Sequence, residues 1–371
     1  MATVTTTRKE RGEAIAKLSD QIQRVDEYVY TVKSQSGNGE YCVTKVCGEW
    51  LCECPDNKYR HVKCKHIFAV EFSSQIRKEV QTNRVIQEVN VQNCQYCGSN
   101  NLKKDGIRRN KAGDIQKFYC RDCHKYFTIN IGFERMKHNP QAITSAMQLY
   151  FSGESLRNTM KSLRLLGVQV SHQTVYNWIR KYTKLMNEYV ETMEPNVSNI
   201  WRADEIWVKI KGDRKYLFAL MDDETRFWIA QEVAETKDKH DVRVLFSRAK
   251  YLMGKQPQTF ITDGLNAFGQ ASAEIFPNAQ HIQKITFKGK LHNNNKMERM
   301  NGEIRDREKT MRGLKKTDTA VLKGYQLFHN YIRPHEGLDG RTPAEACGMK
   351  IEGQNKWLTL IQNAKSAKVE P

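Results

Sequence analysis

Proline is scarce in this chain and glycine modest, at 8 and 22 of 371 residues. That excludes collagen-like and low-complexity classes. Long apolar runs are missing too. The longest, at 67–70 and 217–221, fall far short of the ~20 residues needed to span a bilayer. No apolar stretch follows the opening MATVTTTRKERGEA, so no secretory leader is expected. Cysteine is nearly absent beyond residue 123, where one of the ten remains, Cys347. Acids are under-represented, with 42 Asp and Glu against 60 Lys and Arg, a formal charge of +18. These absences leave a soluble, intracellular, basic chain with no expected membrane span and length for roughly two to three domains. Excess positive charge fits a polyanionic partner, although a ribosomal or membrane-surface protein would share it.

The charge is concentrated in two places. Residues 91–140 carry +6 and residues 201–345 another +6, and 284–316 hold eleven Lys and Arg against four acids. Basic clusters on folded segments read as phosphate-contacting surface, with a solvated helix face as the plainer alternative.

With no secretory leader, the early cysteines read as metal ligands rather than disulfides. Cys52 and Cys54, then Cys64 and His66, supply three thiolates and one imidazole, a complete tetrahedral zinc set. His61 competes with His66, but only His66 has the Cys-x-His offset. Cys42 and Cys47 read as packing or surface cysteines. Residues 25–75 resemble the SWIM zinc finger, whose pattern is Cys-x-Cys, a short gap, then Cys-x-His. That resemblance implies DNA or protein binding. A second set, Cys94-x-x-Cys97 and Cys120-x-x-Cys123, has 22 residues between its pairs, and Gly98 provides the tight turn of a knuckle. It looks like a zinc ribbon, with Arg108 and Arg109 among the basic residues between the knuckles. Both sets are full, so both zinc ions are expected to be structural.

Residues 141–187 predict three helices. Ile143, Met147 and Tyr150 lie on the first, and Leu156, Met160 and Leu163 on the second. Ser171 caps a third carrying the stripe Val175, Trp178, Ile179 and Tyr182. The other face of the third shows His172, Gln173, Thr174, Asn177, Arg180 and Lys181, groups suited to base edges and phosphates in a helix-turn-helix. An ordinary three-helix bundle is the alternative.

Residues 200–283 predict three antiparallel strands, a helix, a strand, a helix and a strand, the ribonuclease H-like order. Asp204 lies within the first strand, a costly place for a carboxylate unless it binds a cation or a proton. Glu205 is expected on the opposite face of that strand. Asp263 ends a short strand, and Glu298 follows after 34 residues in a basic helix. Glu303 and Glu308 compete with Glu298, while Asp222, Asp223 and Glu224 read as an acidic hairpin turn.

The segments TDG, NNNKMERMNGEIRDR and YIRPHEGLDGRTPAEACG resemble the insertion-sequence DDE transposases, which have a retroviral-integrase-like core, over 198–348. The resemblance implies that Asp204, Asp263 and Glu298 hold two Mg²⁺ or Mn²⁺ ions. It also implies that water cuts each element end and that the exposed 3′-hydroxyl attacks target DNA. Arg299, Arg305, Arg307 and Lys309 would grip backbone phosphates, and Lys290, His292, Asn293, Asn294 and Asn295 before them would line the cleft and meet DNA there. Tyr331 reads as packing and Cys347 as buried and inert. Double-stranded DNA, a homodimer or higher multimer, and a cytoplasmic, nucleoid-associated setting in a prokaryote complete the expectation. A non-catalytic DNA-binding regulator and a ribonuclease H-like nuclease are the competing readings. The predicted order is therefore an N-terminal arm (1–24), the SWIM-type finger (25–85), the ribbon (91–132), the helix-turn-helix (140–190), the catalytic core (198–348) and a tail (349–371).

Overall fold

The computed structural model describes residues 7–18, 21–24, 28–35, 37, 39–46, 49–79, 84–89, 93–94, 96–110, 113–128, 130–283, 295–311, 314 and 320–368. They fall into two compact units that divide before Arg84.

The first unit opens with α1 (Arg8–Ala16). The antiparallel meander β1 (Ile22–Arg24), β2 (Val29–Lys33), β3 (Glu40–Val46) and β4 (Glu49–Cys52) follows, then a short α2 (Pro55–Lys58) and α3 (Lys65–Glu79). Within the predicted N-terminal arm, 8–16 form a helix and 22–24 a strand. A capping box between Thr7 and Glu10 starts α1, satisfying donors that a helix N-terminus leaves open. Helices α1 and α3 meet closely at Gly12, where a Cβ would stand 2.5 Å from the Cβ of Phe68. Ile15 of α1 is buried with Tyr30, Val32, Val43, Ile67 and Val70, and β1 pairs with β2.

The second unit begins with β5 (Arg84–Ile86) and the three-stranded ribbon β6 (Leu102–Asn110), β7 (Gly113–Cys120) and β8 (Tyr126–Thr128). Three helices come next: α4 (Pro140–Phe151), α5 (Leu156–Leu165) and α6 (His172–Val190). Asn139, Ser155 and Ser171 cap their N-termini through side-chain oxygens. The predicted stripe on the third helix is its buried face, with Val175, Trp178, Ile179 and Tyr182 all in the core.

The main sheet comprises β9 (Ile200–Ile210), β10 (Asp213–Asp222), β11 (Trp228–Ala234), β12 (Thr259–Thr262) and β13 (Gln280–Gln283), ordered β11-β10-β9-β12-β13. The first three strands pair antiparallel, whereas β12 runs parallel to both β9 and β13. Parallel pairs need crossover connections, which α7 (Lys239–Met253) and α8 (Asn266–Ile275) provide. This is the ribonuclease H-like strand order that the pattern of elements predicted. The chain then forms α9 (Asn295–Met311) and α10 (Ala320–Leu327). The latter continues as a π-helical turn at Phe328–Ile332 rather than as one uniform helix. A 3₁₀ turn (Glu336–Leu338), α11 (Pro343–Ala346), β14 (Met349–Ile351) and α12 (Lys356–Ser366) complete the unit.

The end of the chain departs from expectation, because residues 349–366 are folded and not a tail. Strand β14 pairs in parallel with β5, so Arg84–Ile86 belongs with the second unit and not with the finger. On α12, Trp357, Leu360, Ile361 and Ala364 are buried at i, i+3, i+4 and i+7, the spacing of one helix face. Trp357 stacks on Phe151 (5.5 Å between ring centroids) and donates its indole N–H to Gln148 Oε1 at 2.8 Å. Trp357→Ala should cost about 3–5 kcal/mol of stability. Denaturant unfolding would read this as a lower midpoint, and a loss under 1 kcal/mol would contradict the packing assigned to α12.

Candidate active site and metal centres

Two sulfur clusters are assembled by short turns. In the first, ligand atoms of Cys52, Cys54, Cys64 and His66 all lie within 4.8 Å of one another, and every one of these residues is buried. His66 Nδ1 is 3.7 Å from Cys52 Sγ and 3.9 Å from Cys64 Sγ. Asn57 holds the intervening loop, accepting from the Cys52 N–H (2.7 Å) and donating to the Val62 carbonyl (3.1 Å). His61 is exposed, with a left-handed backbone, and stands outside the cluster. Cys42, half-buried beside Thr44, is outside it too. Cys47 lies outside the described residues.

The second cluster joins Cys94, Cys97, Cys120 and Cys123. Its sulfurs approach at 3.6 Å in the pairs Cys94–Cys123 and Cys97–Cys120. The two knuckles match. Gly98 follows one at φ +73° and His124 follows the other at φ +56°, and the Tyr96 N–H points to Cys94 Sγ at 3.4 Å. Sulfurs around a tetrahedral zinc with Zn–S bonds of about 2.3 Å are about 3.8 Å apart. Both donor sets fit that polyhedron. The hydrogen bond that Cys52 and Cys64 share pulls Cys64 down and pushes Cys52 up, so Cys64 is the sulfur that holds the negative charge when one proton is shared between them. Cys120 falls to about 7, first through the backbone N–H of Cys123. Thiolates are the form a metal binds.

The third cluster is made of carboxylates. Strands β9 and β12 are paired from Thr259↔Ile200 to Ile261↔Arg202. Beyond that point β12 ends at Thr262 while β9 runs on to Ile210. Asp263 follows β12 immediately, and Asp204 and Glu205 lie on β9 just past the paired stretch. Carboxylate oxygens of Asp204, Glu205 and Asp263 converge within 4.8 Å of one another. Asp204 is 9% exposed; burial first, then the charge of Asp263, pushes it up to about 7. Burial also raises Glu205.

Glu205, expected on the opposite face of the strand, nevertheless brings a carboxylate oxygen to this cluster. Strand β9 stays regularly paired with β10 through both residues, while the end of β12 leaves its other edge open beside them. Lys237 holds one oxygen of Glu205 at 2.5 Å. The other, Oε2, is buried without a hydrogen-bond partner, as is Asn301 Oδ1. Three crowded carboxylates with orphaned oxygen acceptors are a donor set suited to a hard divalent cation. The sequence signal for Glu205 was its place beside Asp204, at the strand end where pairing lapses.

Helix α9 closes the cleft from another side. Asn301 Nδ2 donates to Asp204 Oδ2 at 2.7 Å, and Lys296 Nζ binds the Asp223 carbonyl and carboxylate at 2.9 and 3.1 Å. Glu298 lies one turn before Asn301 on the same helix face. It is exposed, and its charge adds to the rise of Asp204. It does not join the three-carboxylate cluster itself. Both competitors are engaged elsewhere: Glu303 with Arg333 at 2.5 and 2.8 Å, and Glu308 with the Lys209 N–H. Asp222 is buried, accepting from Ser198 and Thr225, and Asp223 pairs with Arg202 and Lys296. These acids close a turn and anchor α9.

The YIRPHEGLDGRTPAE segment is architectural. Arg333 fixes α9 through Glu303, and His329 Nε2 donates to the Arg226 carbonyl at 2.9 Å. Thr342 and Glu345 form the capping box of α11. Tyr331 is buried, edge-on to Phe227, and Cys347 is buried with its thiol on Thr225 Oγ1 at 3.1 Å.

The basic residues divide. Arg299, Arg305, Arg108 and Arg109 are exposed, as are His172, Gln173, Asn177, Arg180 and Lys181, with Thr174 half-buried beside the cap. Lys181 leans back, its ammonium 3.3 Å from Met136 Sδ. Arg307 contradicts the expected phosphate grip. It is 6% exposed, with its guanidinium over the Tyr150 ring at 5.0 Å, because its position on α9 faces α4 rather than the cleft. Lys290, with His292, Asn293 and Asn294, lies outside the described residues.

Residues 198–335 match the DDE domain family. The transposase for insertion sequence-like element IS431mec of Staphylococcus aureus is 30% identical over 147 residues, covering 38% of this chain and 63% of that protein. The insertion element ISM1 uncharacterized 48.3 kDa protein of Methanobrevibacter smithii is 28% identical over 144 residues, 35% of each chain. The chain thus spans less than two thirds of the relatives it matches. A solved HTLV-2 integrase catalytic core domain in complex with magnesium covers 42% of this chain and 98% of its own, at 19% identity and a TM-score of 0.32. Among the described residues, no helix is long and apolar enough to cross a membrane.

Proposed function

We propose that this chain, whose residues 198–335 match the DDE domain family, cuts the ends of a mobile DNA element and joins them to target DNA. The observation that carries this reading is the meeting of the Asp204 and Asp263 carboxylates where two parallel strands diverge. Asp204, Asp263 and Glu298 would hold the catalytic cations, with Glu205 beside them. Divalent Mg²⁺ or Mn²⁺ bound there would stabilise charge on the attacking and leaving oxygens of the phosphodiester.

The side chains divide the remaining work. Asn301 orients Asp204, and Lys237 orients Glu205. Arg299 and Arg305, exposed on the helix that carries Glu298, neutralise backbone phosphates without reading sequence. Water breaks the phosphodiester at the element end, and the 3′-hydroxyl released there displaces a 3′-oxygen in the target strand. Tyr331 is buried in packing, which supports direct displacement over a covalent protein–DNA link.

The flanking modules would bring DNA to this site. The helices α5 and α6 serve as a helix-turn-helix presenting His172, Gln173, Thr174, Asn177 and Arg180. The Cys₃His module acts as a SWIM-type finger and the Cys₄ module as a zinc ribbon, one structural zinc in each. Joining two ends calls for at least a dimer, acting on the nucleoid in the cytoplasm of a prokaryote. The test incubates the protein with labelled duplex carrying the element's own termini and Mg²⁺. Nicked ends with free 3′-hydroxyls and joined products are expected. Binding without any cleavage would favour a DNA-binding regulator.

Glu205 allows a separate measurement. Glu205→Gln should raise the half-saturating Mn²⁺ concentration about tenfold, the equivalent of ~1.4 kcal/mol, read by calorimetry rather than turnover. Because Asp204 is held near 7, cation binding displaces a proton below that pH. Affinity should therefore strengthen as pH rises from 6 to 8. A pH-independent affinity, or an unaltered variant, would remove Glu205 and the raised Asp204 from the cation site.

A further inference from the structure

The outer face of the ribbon carries rings where an ordinary solvated sheet carries short polar groups. Across β6, β7 and β8, Lys103 pairs with Tyr119 and Tyr119 pairs with Tyr126, so these three side chains form one row. Lys117, two residues before Tyr119, stands on the same face. Leu102, Phe118 and Phe127 pack around the Cys₄ cluster instead. The row is accessible: Tyr126 is 53% exposed, Lys103 is exposed and Tyr119 is half-buried. The two tyrosine rings are 4.8 Å apart, tilted by 43°, and His124 Nδ1 lies 2.8 Å from the Tyr119 hydroxyl, which fixes that ring. Lys117 Nζ sits 3.9 Å over the Tyr126 ring while also 3.3 Å from Asp105.

We propose that this face is a stacking platform for unpaired bases, and that its ligand is single-stranded DNA. Duplex DNA encloses the faces of its bases, so exposed rings gain stacking only from unpaired ones. Charge complementarity favours nucleic acid, since the segment carrying the platform has a strong basic excess. The Lys117 ammonium occupies the place of a base in the free protein. On binding, a base would take the ring face and Lys117 would move to the adjoining phosphate, leaving Asp105. The choice of DNA over RNA rests on the proposed function, in which cleavage frees strand ends; the platform itself does not depend on the carboxylate site.

The experiment uses the whole 371-residue chain, zinc-loaded and without added Mg²⁺ or Mn²⁺, so its outcome is independent of catalysis. The probes are a fluorescent dodecathymidine, its RNA counterpart and a duplex of the same length. Tyr126→Ala should weaken dodecathymidine binding about tenfold or more and duplex binding less than twofold, while Tyr126→Phe keeps the wild-type affinity. Lys117→Ala should weaken both probes, as a phosphate contact does. Equal losses on single strand and duplex, or no loss on either, would overturn the platform. Tighter binding of the RNA counterpart would overturn the assignment to DNA. Should Tyr126→Ala release zinc, photocrosslinking of the wild-type chain to bromodeoxyuridine-substituted strand decides: adducts on Tyr119 or Tyr126 support the platform, and adducts confined to other segments reject it.

Discussion

Asp263→Ala is expected to abolish strand cleavage and joining while leaving DNA binding nearly unchanged. Asp263 leaves the end of β12, where its carboxylate meets Asp204 and Glu205. Its backbone is fixed by the turn that follows, in which its own Oδ1 accepts from the Leu265 N–H at 3.2 Å. Removing the side chain would delete one proposed cation ligand and one small capping bond. Losing a ligand removes several kcal/mol of transition-state stabilisation. With each ~1.4 kcal/mol worth tenfold, the loss in rate is about 10³-fold. The exposed bases of α6, the ribbon and α9 are untouched, so affinity measured by gel shift should change less than twofold. A variant that still cleaves within tenfold of wild type would sink the carboxylate assignment. One that loses DNA binding as well would point to a folding role instead. Asp204→Asn separates the two further, because it retains an acceptor for Asn301 and removes only the charge.

The second large effect concerns zinc. Each chain should hold two ions, and stripping them should unfold both zinc modules while the main sheet survives. The ribbon shows why. Its core is Cys94, Cys120 and Phe127, with Leu102, Phe118 and Cys123 beside them. So small a cluster buries too little apolar surface to fold three strands unaided. Structural zinc in such modules contributes about 10 kcal/mol or more of apparent binding energy, and that energy is folding energy. The main sheet instead has a large continuous core, including Trp201, Phe218, Trp228, Phe246 and Phe260. Chelation should therefore erase hydrogen-exchange protection in 94–128 and in the finger, leaving β9–β12 protected. Two equivalents of zinc by elemental analysis, falling to one in Cys120→Ser, would fit the pairing of ligands. One equivalent in the wild type would remove a module.

Much of this architecture was legible where local rules suffice. Ser171 before an amphipathic stripe located α6, and Asp263 after an apolar strand located the cleft. Three features were not read, each for a definite reason. The convergence of Glu205 on the cluster is not encoded in strand alternation, because it depends on where β12 ends beside β9. Arg307 was read as a phosphate contact from its charge, yet its position on α9 turns it toward Tyr150. The C-terminal helix carried a clear stripe at Trp357, Leu360, Ile361 and Ala364, but a short polar end invited dismissal. Its partner strand, β14, pairs with a segment far back in the chain, a contact that no local pattern encodes.

That pairing has a consequence for how the protein comes into being. Strand β5 is among the first parts of its unit to leave the ribosome, and β14 is nearly the last. Until Met349–Ile351 emerge, Arg84–Ile86 has no strand to meet, and α12 is absent from the core it shares with α4 and α6. Long-range pairings of this kind are made late, after the loop between them has been closed. The unit that carries the carboxylate cluster is thus completed only once β14 and α12 have been made. A chain lacking 349–366 would leave β5 without its partner strand and α4 and α6 without the apolar face of α12 that packs on them.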